Sequence, residues 1–315
     1  MKAILIEEFG GPEVMNLVEM PDPVPGAGET LVEISRTGVN FSDTHITNDH
    51  YVARQQLPLV PGIEFVGVTD DGRRVAAVVP NGAYAERIAV PESSLVAIPD
   101  EIDDEQAAGI MIQGVTADGV LTLTGSLKPG ETVVVGAAAG GTGSLAVQLA
   151  RSMGAGRVIG LASGEEKQQL VLDLGADAVV DSRSENLGDE VVAAAGGGVD
   201  LVLEMAGGSS FDQLLGTLRP FGRMIVVGIA TREQNEVSTG KLLKNSISVS
   251  GFWLMHLLAR PDLARDSIDR VFGATARGEL KAVVGGTFGL SEARQVHRDI
   301  AGRKTVGKLL LDPKR

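Results

Sequence analysis

The chain has no cysteine, and aromatic residues make up only 3% of its 315 residues. The missing thiols exclude disulfide bonds and every zinc site that needs a thiolate ligand. Basic residues are also in deficit, because 28 lysines and arginines stand against 41 acidic residues and give a formal net charge of −13. Such an acidic protein is a poor partner for nucleic acid or for an anionic membrane surface.

Long hydrophobic runs are missing as well. The segment MKAILIEEFGG has too few apolar residues before its glutamates to be a signal peptide, and we expect no stretch to approach the roughly 20 apolar residues that a membrane span needs. The sequence therefore predicts a soluble, cytoplasmic protein. With 315 residues and 43% hydrophobic content, the chain is long enough for two domains with substantial cores.

The first hundred residues contain short β-type segments that proline and glycine interrupt. These segments are KAILIEE, TLVEIS, FVGVT, RRVAAVV and ERIAV. They predict a compact and mostly antiparallel β unit, for which a barrel is one option.

The pattern changes after Ile102, where apolar strands begin to alternate with helical segments as far as Gly251. Such alternation predicts a doubly wound parallel sheet, so the fold class is α/β. The predicted strands span residues 132–135, 157–161, 178–180, 199–205, 223–228 and 246–250. Beyond Pro261, the pattern predicts helices at 263–277 and 291–302, and then a closing strand KLLLD.

A glycine-rich turn joins a short strand to a helix in the segment ETVVVGAAAGGTGSLAVQLARSM, residues 131–153. Glycines lack the side chains that would block a pyrophosphate, and the freed N–H groups and the positive end of the helix then face the anion. Glycine also serves ordinary tight turns, but a position between strand and helix is what a dinucleotide fingerprint requires. We expect the cofactor to bind at Ala139, Gly140, Gly141, Thr142 and Gly143.

The end of the second strand in this region bears on the choice between NAD and NADP. NAD-binding folds usually carry Asp or Glu about 20 residues after the glycines, where it bonds the ribose 2′-OH. Here Ala162, Ser163 and Gly164 follow the strand without a carboxylate, and Lys167 comes shortly afterwards. A 2′-phosphate needs cations and hydroxyl donors, which Ser163 and Lys167 supply, with Arg183 as a third donor. Lys167 as a solvated helix residue is the alternative, and the missing acid favours NADPH.

Segments along most of the chain match one family in their order and spacing. They are GGPEVMNLVE, GVNFSDTHI (38–46), PGIEFVG (61–67), GAYAERIAVP (82–91), QGVTADGVL (113–121), AAAGGTG (137–143), LGADAVVD (174–181), GRMIVVG (222–228), ISVSGFWL and GRKTVGKLLLDP. The chain resembles the zinc-independent medium-chain dehydrogenase/reductases, in their quinone oxidoreductase-like (zeta-crystallin-like) branch.

The resemblance implies a GroES-like, β-rich catalytic domain at residues 1–115 and 255–315, around an inserted Rossmann domain at 116–254, with the nicotinamide held in the cleft. It also implies that Thr116 lies near the cofactor's phosphate or nicotinamide ribose. Main-chain groups at Gly228, Phe252 and Trp253 would orient the carboxamide, although Trp253 also suits core packing. A homodimer built through the edge of the Rossmann sheet is a further implication.

Zinc-dependent relatives carry a cysteine, a PGHE histidine and a four-cysteine lobe that this chain lacks. The PGIE segment has Ile63 in place of the histidine, and Glu64 alone cannot make a tetrahedral site. We therefore expect no metal site and no zinc-dependent alcohol oxidation.

Without a metal, a reduced nicotinamide can still transfer hydride to an acceptor that its own conjugation activates. Quinones and α,β-unsaturated carbonyls are such acceptors, and the protein then needs only orientation, a donor near the carbonyl oxygen and a dry pocket. The sequence therefore predicts an NADPH:quinone or 2-alkenal oxidoreductase. An enoyl-thioester reductase and a non-enzymatic NADPH-binding protein with a structural or regulatory role stay open as alternatives.

Three catalytic candidates follow from the resemblance. Asn40 would bond a substrate carbonyl through its amide, and Tyr51 would line the same cleft as a donor. His45 stands where relatives often have tyrosine, and it is a candidate proton donor because it changes charge near neutral pH. The structural alternatives are a turn cap for Asn40, a packed aromatic for Tyr51 and a structural or exposed histidine for His45. Asp43 suits the start of a short helix better than catalysis.

Overall fold

The computed structural model describes residues 1–315, which divide into two compact units. One unit comprises Met1–Ile112 and Phe272–Arg315, and the other comprises Gln113–Val271. The strands are β1 (Lys2–Leu5), β2 (Asn16–Glu19), β3 (Glu29–Val39), β4 (Glu64–Thr69), β5 (Arg74–Val78), β6 (Arg87–Pro91), β7 (Val96–Ala97), β8 (Thr132–Val135), β9 (Arg157–Leu161), β10 (Ala178–Val180), β11 (Val199–Glu204), β12 (Leu218–Val226), β13 (Ser248–Gly251), β14 (Val284–Gly289) and β15 (Lys308–Asp312).

Ten α-helices connect these strands. They are α1 (Phe41–Thr47), α2 (Asp104–Gly119), α3 (Gly141–Ser152), α4 (Glu165–Asp173), α5 (Leu187–Ala195), α6 (Ser209–Gly216), α7 (Thr239–Asn245), α8 (Leu254–Leu258), α9 (Pro261–Ala276) and α10 (Ala293–Ala301). The chain passes from one unit to the other within α2 and returns within α9.

The first unit is built on a seven-stranded sheet in the order β14-β15-β3-β4-β5-β7, and β6 also pairs with β3. Every pairing in it is antiparallel except that of β14 with β15, which confirms the predicted, mostly antiparallel β unit. Strand β3 is the longest and carries Val32 and Ile34 into a core with Phe65 and Val75. Alternate residues of a strand face one side, so β3 can fill this core with every second side chain.

The second unit is a six-stranded parallel sheet in the order β10-β9-β8-β11-β12-β13. The chain runs outward from β8 to β10, returns to the middle at β11 and then runs outward on the other side. This confirms the predicted doubly wound α/β fold, in which the strand order reverses between β8 and β11. Ligands of such sheets bind beyond the carboxyl ends of the strands at that reversal.

Most predicted strand limits agree closely with the structure, and β12 is the exception. It begins at Leu218, five positions before the predicted start at Arg223, and its pairing with β11 shifts register between these two residues. The intervening segment contains Pro220 and Phe221, whose φ is +69°. Proline and a positive φ are typical of turns, so a bulged strand here looks like a loop in the sequence.

Helix α2 corrects one expectation. Together with the π-helical turn Val120–Thr124 it forms a continuous helix of 21 residues, Asp104–Thr124, that is long and apolar enough to cross a membrane. The prediction that no stretch approaches such a span was therefore wrong by length and composition. Of the apolar window, 78% is buried inside the fold, as in the core helix of a globular protein.

Candidate functional site

The glycine turn connects β8 to α3 and has the geometry that the sequence predicts. Gly140 precedes the first residue of α3, and Gly140 N donates to the carbonyl of Ala137 over 2.8 Å. A Cβ at Gly143 would clash with that same carbonyl oxygen, so helix and strand can approach this closely only with glycine there. The first N–H groups of a helix have no partner within it, and they make this end of α3 suitable for an anion.

Two backbone hydrogen bonds fix the turn between neighbouring strands. Ala138 N donates to the carbonyl of Leu161 at the end of β9 over 3.0 Å, and Gly136 N donates to Leu203 O of β11 over 2.9 Å. The glycine turn therefore lies beside the ends of both strands, at the point where the strand order reverses.

Gln113 is a neighbour of this turn that the sequence analysis did not single out. Its side-chain oxygen accepts a hydrogen bond from the Thr142 hydroxyl, and a Cβ at Gly141 would stand 3.2 Å from its Cγ. Thr116 follows three positions later in α2, on the same helical face, and is buried. The sequence signal for Gln113 is the helical register of α2, which places it on the same face as Thr116. Glycines and threonine within this segment obscure that register.

Ser163 and Lys167 follow the end of β9, the strand next to β8. Gly164 has a φ of +89° and precedes α4, so the chain turns sharply between these two residues. Both side chains are half-buried, and burial lowers the pKa of Lys167 against the opposing effect of Glu166. A hydroxyl and a cation thus follow the strand that pairs with β8, the hydroxyl before α4 and the cation in the first turn of α4.

Arg183 has a carboxylate partner of its own. It follows β10, and its Nε and Nη2 lie 3.3 Å from the two carboxylate oxygens of Asp181. Its side chain is 71% exposed. A phosphate would therefore compete with Asp181 for this guanidinium.

The predicted nicotinamide-side residues lie at the ends of β12 and β13. Gly228 follows β12, and Phe252 N donates to Val226 O over 2.9 Å. The ring of Phe252 packs on Gly119 of α2, where a Cβ would stand 2.6 Å from Phe252 Cζ. Trp253 follows directly, and its ring meets that of His256 edge-on at 4.9 Å.

Glu204, at the end of β11, is a buried carboxylate that the sequence analysis did not consider. Its Oε1 accepts hydrogen bonds from the N–H groups of Ala206 and Gly207, both at 2.9 Å. Burial raises its pKa, and Oε2 has no hydrogen-bond partner. It shapes the loop between β11 and α6.

The catalytic candidates lie in and around α1 in the first unit, with Asn40 before the helix, His45 in it and Tyr51 after it. Asn40 precedes the helix, and its backbone N–H donates to Asp43 Oδ2 over 2.8 Å, which confirms the N-terminal role predicted for Asp43. The Asn40 side chain is 3% exposed and donates to Glu64. His45 and Tyr51 are half-buried, and the His45 ring lies 5.3 Å from that of Phe41.

No group of three or more His, Asp or Glu side chains is arranged to hold a metal ion. Glu64 is 0% exposed. Its oxygens accept hydrogen bonds from Lys308, from Asn40 and from the N–H of Ile112.

Two family models match the chain. Residues 26–100 match the alcohol dehydrogenase GroES-like domain, and residues 141–272 match the model described as zinc-binding dehydrogenase. Among curated proteins, a quinone oxidoreductase of Pseudomonas aeruginosa is 33% identical and covers 99% of both chains. A 2-haloacrylate reductase of a Burkholderia species is 31% identical over 99% of this chain and 98% of its own.

A solved structure is also similar to this chain over its whole length. The quinone oxidoreductase of Thermus thermophilus, which was also crystallised in complex with NADPH, superposes with a TM-score of 0.90 at 36% identity. The match covers 99% of this chain and 100% of that one.

Proposed function

We propose a function from the family to which this chain belongs, the quinone oxidoreductase-like branch of the medium-chain dehydrogenase/reductases. The chain is an NADPH-dependent reductase of quinones or α,β-unsaturated carbonyls. One observation carries the proposal: a glycine turn opens α3, and the neighbouring strand β9 is followed by Ser163 and by Lys167 in the first turn of α4. The glycine turn suits the pyrophosphate of NADPH, and the hydroxyl and the cation suit its 2′-phosphate.

The residues of the second unit account for cofactor binding. The N–H groups of Gly141 and Thr142 bind the pyrophosphate, because they open α3 and have no acceptor within the helix. Ser163 and Lys167 bind the 2′-phosphate through a hydroxyl and a cation. The bound cofactor supplies a hydride. The main chain around Gly228 and Phe252 orients the nicotinamide.

The residues of the first unit act on the acceptor. Hydride addition to a quinone or an enone leaves negative charge on a carbonyl oxygen, and a fixed amide donor stabilises that charge. Asn40 is this donor. When the substrate binds, Asn40 Nδ2 gives up its long hydrogen bond of 3.4 Å to Gly38 O. It then donates to the carbonyl oxygen of the substrate instead. His45 or Tyr51 then delivers the proton.

We further propose that this reaction uses no metal. Cation and amide donors already occupy both oxygens of Glu64, the one carboxylate of the PGIE segment. An acceptor activated by its own conjugation needs no Lewis acid, which is consistent with that arrangement.

The substrate test is an assay of NADPH oxidation with quinones, enals, enones, 2-haloacrylates and enoyl thioesters, repeated with NADH. We expect turnover with at least one quinone or enone, and a preference for NADPH. Asn40→Ala should lower kcat, whereas Asn48→Ala, at the other end of α1, is the matched control and should not. Purified protein that binds NADPH but reduces no acceptor would favour the structural or regulatory alternative.

The relative named 2-haloacrylate reductase favours a second acceptor class, a C=C bond conjugated to a carboxylate. Faster turnover of a haloacrylate than of any quinone or enoyl thioester would select this class.

We also propose a homodimer built through the edge of the parallel sheet. The side chains of Phe221 and Leu243, which are 85% and 83% exposed, support it, because both lie near the edge strand β13. Light scattering on purified protein tests it.

A further inference from the structure

Three polar side chains form a buried cluster at the start of α1. Asn40, Glu64 and Lys308 are 3%, 0% and 2% exposed. Lys308 Nζ donates to Asn40 Oδ1 over 2.6 Å and also to Glu64 Oε1. Asn40 Nδ2 donates to Glu64 Oε1 over 3.0 Å. Each member of the cluster is therefore bonded to both of the others.

The cluster fixes which way the Asn40 amide points. Its oxygen faces the Lys308 ammonium, and its nitrogen faces the Glu64 carboxylate. A flipped amide would set oxygen against carboxylate and nitrogen against ammonium, which loses two charge-assisted hydrogen bonds and adds repulsion. The ammonium also polarises the amide and strengthens its N–H groups as donors.

The Glu64–Lys308 pair is itself held in place. Glu64 Oε2 accepts a hydrogen bond of 3.0 Å from the backbone N–H of Ile112. Gly38 lies directly beside the pair, where a Cβ would clash with Glu64 Oε1 and stand 2.6 Å from Lys308 Cε. The pair thus depends on a position that only glycine can occupy without displacing it.

We propose that Glu64 and Lys308 are positioning residues that hold the Asn40 amide ready to donate to the carbonyl oxygen of the acceptor. A buried ion pair is a costly way to stabilise a fold, since apolar side chains of similar size often do as well. Orientation of a working side chain is a role that apolar residues cannot fill. The inference rests on the proposed function, because it assigns Asn40 to the acceptor.

The first test is a double-mutant cycle. Lys308→Met alone would leave a buried carboxylate without its cation and could unfold the protein, so Glu64→Gln and Lys308→Met are combined. We expect this neutral variant to fold, to keep its KM for NADPH within about threefold, and to lose about 10- to 100-fold in kcat, as a misplaced catalytic group does. In an Asn40→Ala background, the same pair of substitutions should change kcat less than about twofold.

Two further variants separate positioning from a merely structural role. Gly38→Ala keeps all three side chains but displaces the pair, so it should lower kcat in the same way. Arg36→Met is the matched control: Arg36 lies on the same strand as Gly38 and pairs with Asp312 of β15 over 2.9 Å. Its loss removes an ion pair between the same two strands and should leave kcat within about twofold. A folded neutral variant with full kcat, or equal losses with and without Asn40, would overturn the proposal.

A measurement without turnover keeps the inference distinct from the proposed function. In protein labelled with ¹⁵N-asparagine, the Asn40 side-chain amide is assigned by its absence in Asn40→Ala. We expect its protons to exchange slowly in the wild type and at least about tenfold faster in the neutral variant, because buried and bonded groups are protected. Equal exchange in both would overturn the positioning role, even in an active enzyme. Slow exchange in a protein that reduces no acceptor would overturn only the proposed function.

Discussion

Tyr84 donates its phenolic hydrogen to Oδ2 of the Asp43 carboxyl group over 3.0 Å. The phenolic oxygen of Tyr84 also lies 3.0 Å from Nε2 of His297, and all three side chains are fully buried. Burial raises the pKa of Asp43 to about 7 and lowers that of His297 to about 4. The three residues link the first turn of α1 to α10 through groups whose ionisation the interior opposes.

The pH dependence of stability should differ between variants of these two titratable residues. Folded Asp43 keeps its proton up to about pH 7, whereas the unfolded group releases it near 3.8, so its stabilising effect is lost as pH rises through this window. His297 acts in the opposite sense, because its effect is present above 6.5 and is lost as pH falls towards 4. The two slopes therefore oppose each other in the wild type.

In Asp43→Asn only the slope of His297 remains. We expect the free energy of unfolding to fall relative to wild type as pH drops from 6.5 to 4, by up to about 1.4 kcal/mol per pH unit. Urea unfolding at half-unit pH steps measures this. His297→Gln is the mirror control and should show the reverse slope. Lys308 and Glu64, which also act on Asp43, are present in both variants. Parallel profiles for Asp43→Asn and wild type would contradict the assignment.

Tyr84→Phe should destabilise the protein at neutral pH by about 2 kcal/mol, because Asp43 Oδ2 and His297 Nε2 both lose a buried partner. Urea unfolding gives the value. Tyr51→Phe is the control, since Tyr51 is half-buried and outside this cluster, and it should change stability by less than about 1 kcal/mol. Equal effects of the two substitutions would argue against the buried chain of hydrogen bonds.

Lys167→Ala should weaken NADPH binding about 10- to 100-fold, the loss expected for one hydrogen bond to a charged group. NADH binding should not change, because NADH has no 2′-phosphate. Fluorescence titration of both cofactors measures this. Arg183→Ala should cost less, since Asp181 already holds that guanidinium. A loss shared equally by NADH would assign Lys167 to another part of the cofactor.

Gly143→Ala should abolish measurable cofactor binding or unfold the second unit, because a Cβ there would meet the backbone of Ala137 and Ala138, which cannot move aside. Calorimetric titration with NADPH, together with thermal melting, separates the two outcomes. Gly216→Ala is the matched control, at the end of α6, where a Cβ meets nothing within 4 Å. It should bind NADPH normally and gain up to about 1 kcal/mol of stability. Normal binding by Gly143→Ala would argue against the turn as the pyrophosphate site.

The parallel sheet could be predicted because its strands are short apolar runs that end at turns. β8, β9 and β10 have the predicted limits, whereas the bulge in β12 contains a proline and a glycine, which are typical of a loop.

Helix α2 could not be predicted as one element. Its sequence DEQAAGIMIQGVTADG carries three glycines and no clear apolar stripe, since a helix buried on most sides has no polar face to give it a period.

The glycine turn could be predicted because a phosphate cradle restricts residue type within a few positions. The buried clusters could not, because their members are far apart in the chain. Lys308 lies 244 residues from Glu64 and His297 lies 213 residues from Tyr84. Nothing local to Lys308 distinguishes a buried cation from the exposed lysine that this residue type usually is.

The strand order of the first unit also determines when its sheet can be completed during synthesis of the chain. Strand β15 covers residues 37–39 of β3, yet the ribosome delivers Lys308 268 residues after Asn40, a delay of roughly 10 to 60 seconds at usual elongation rates. All of the second unit emerges within that interval. Until β15 arrives, this part of β3 is an open edge that can pair with another chain. The nascent chain is therefore exposed to aggregation through β3 for the same period in which its Asn40 site lacks Lys308. The arrival of β15 covers the edge and completes the site.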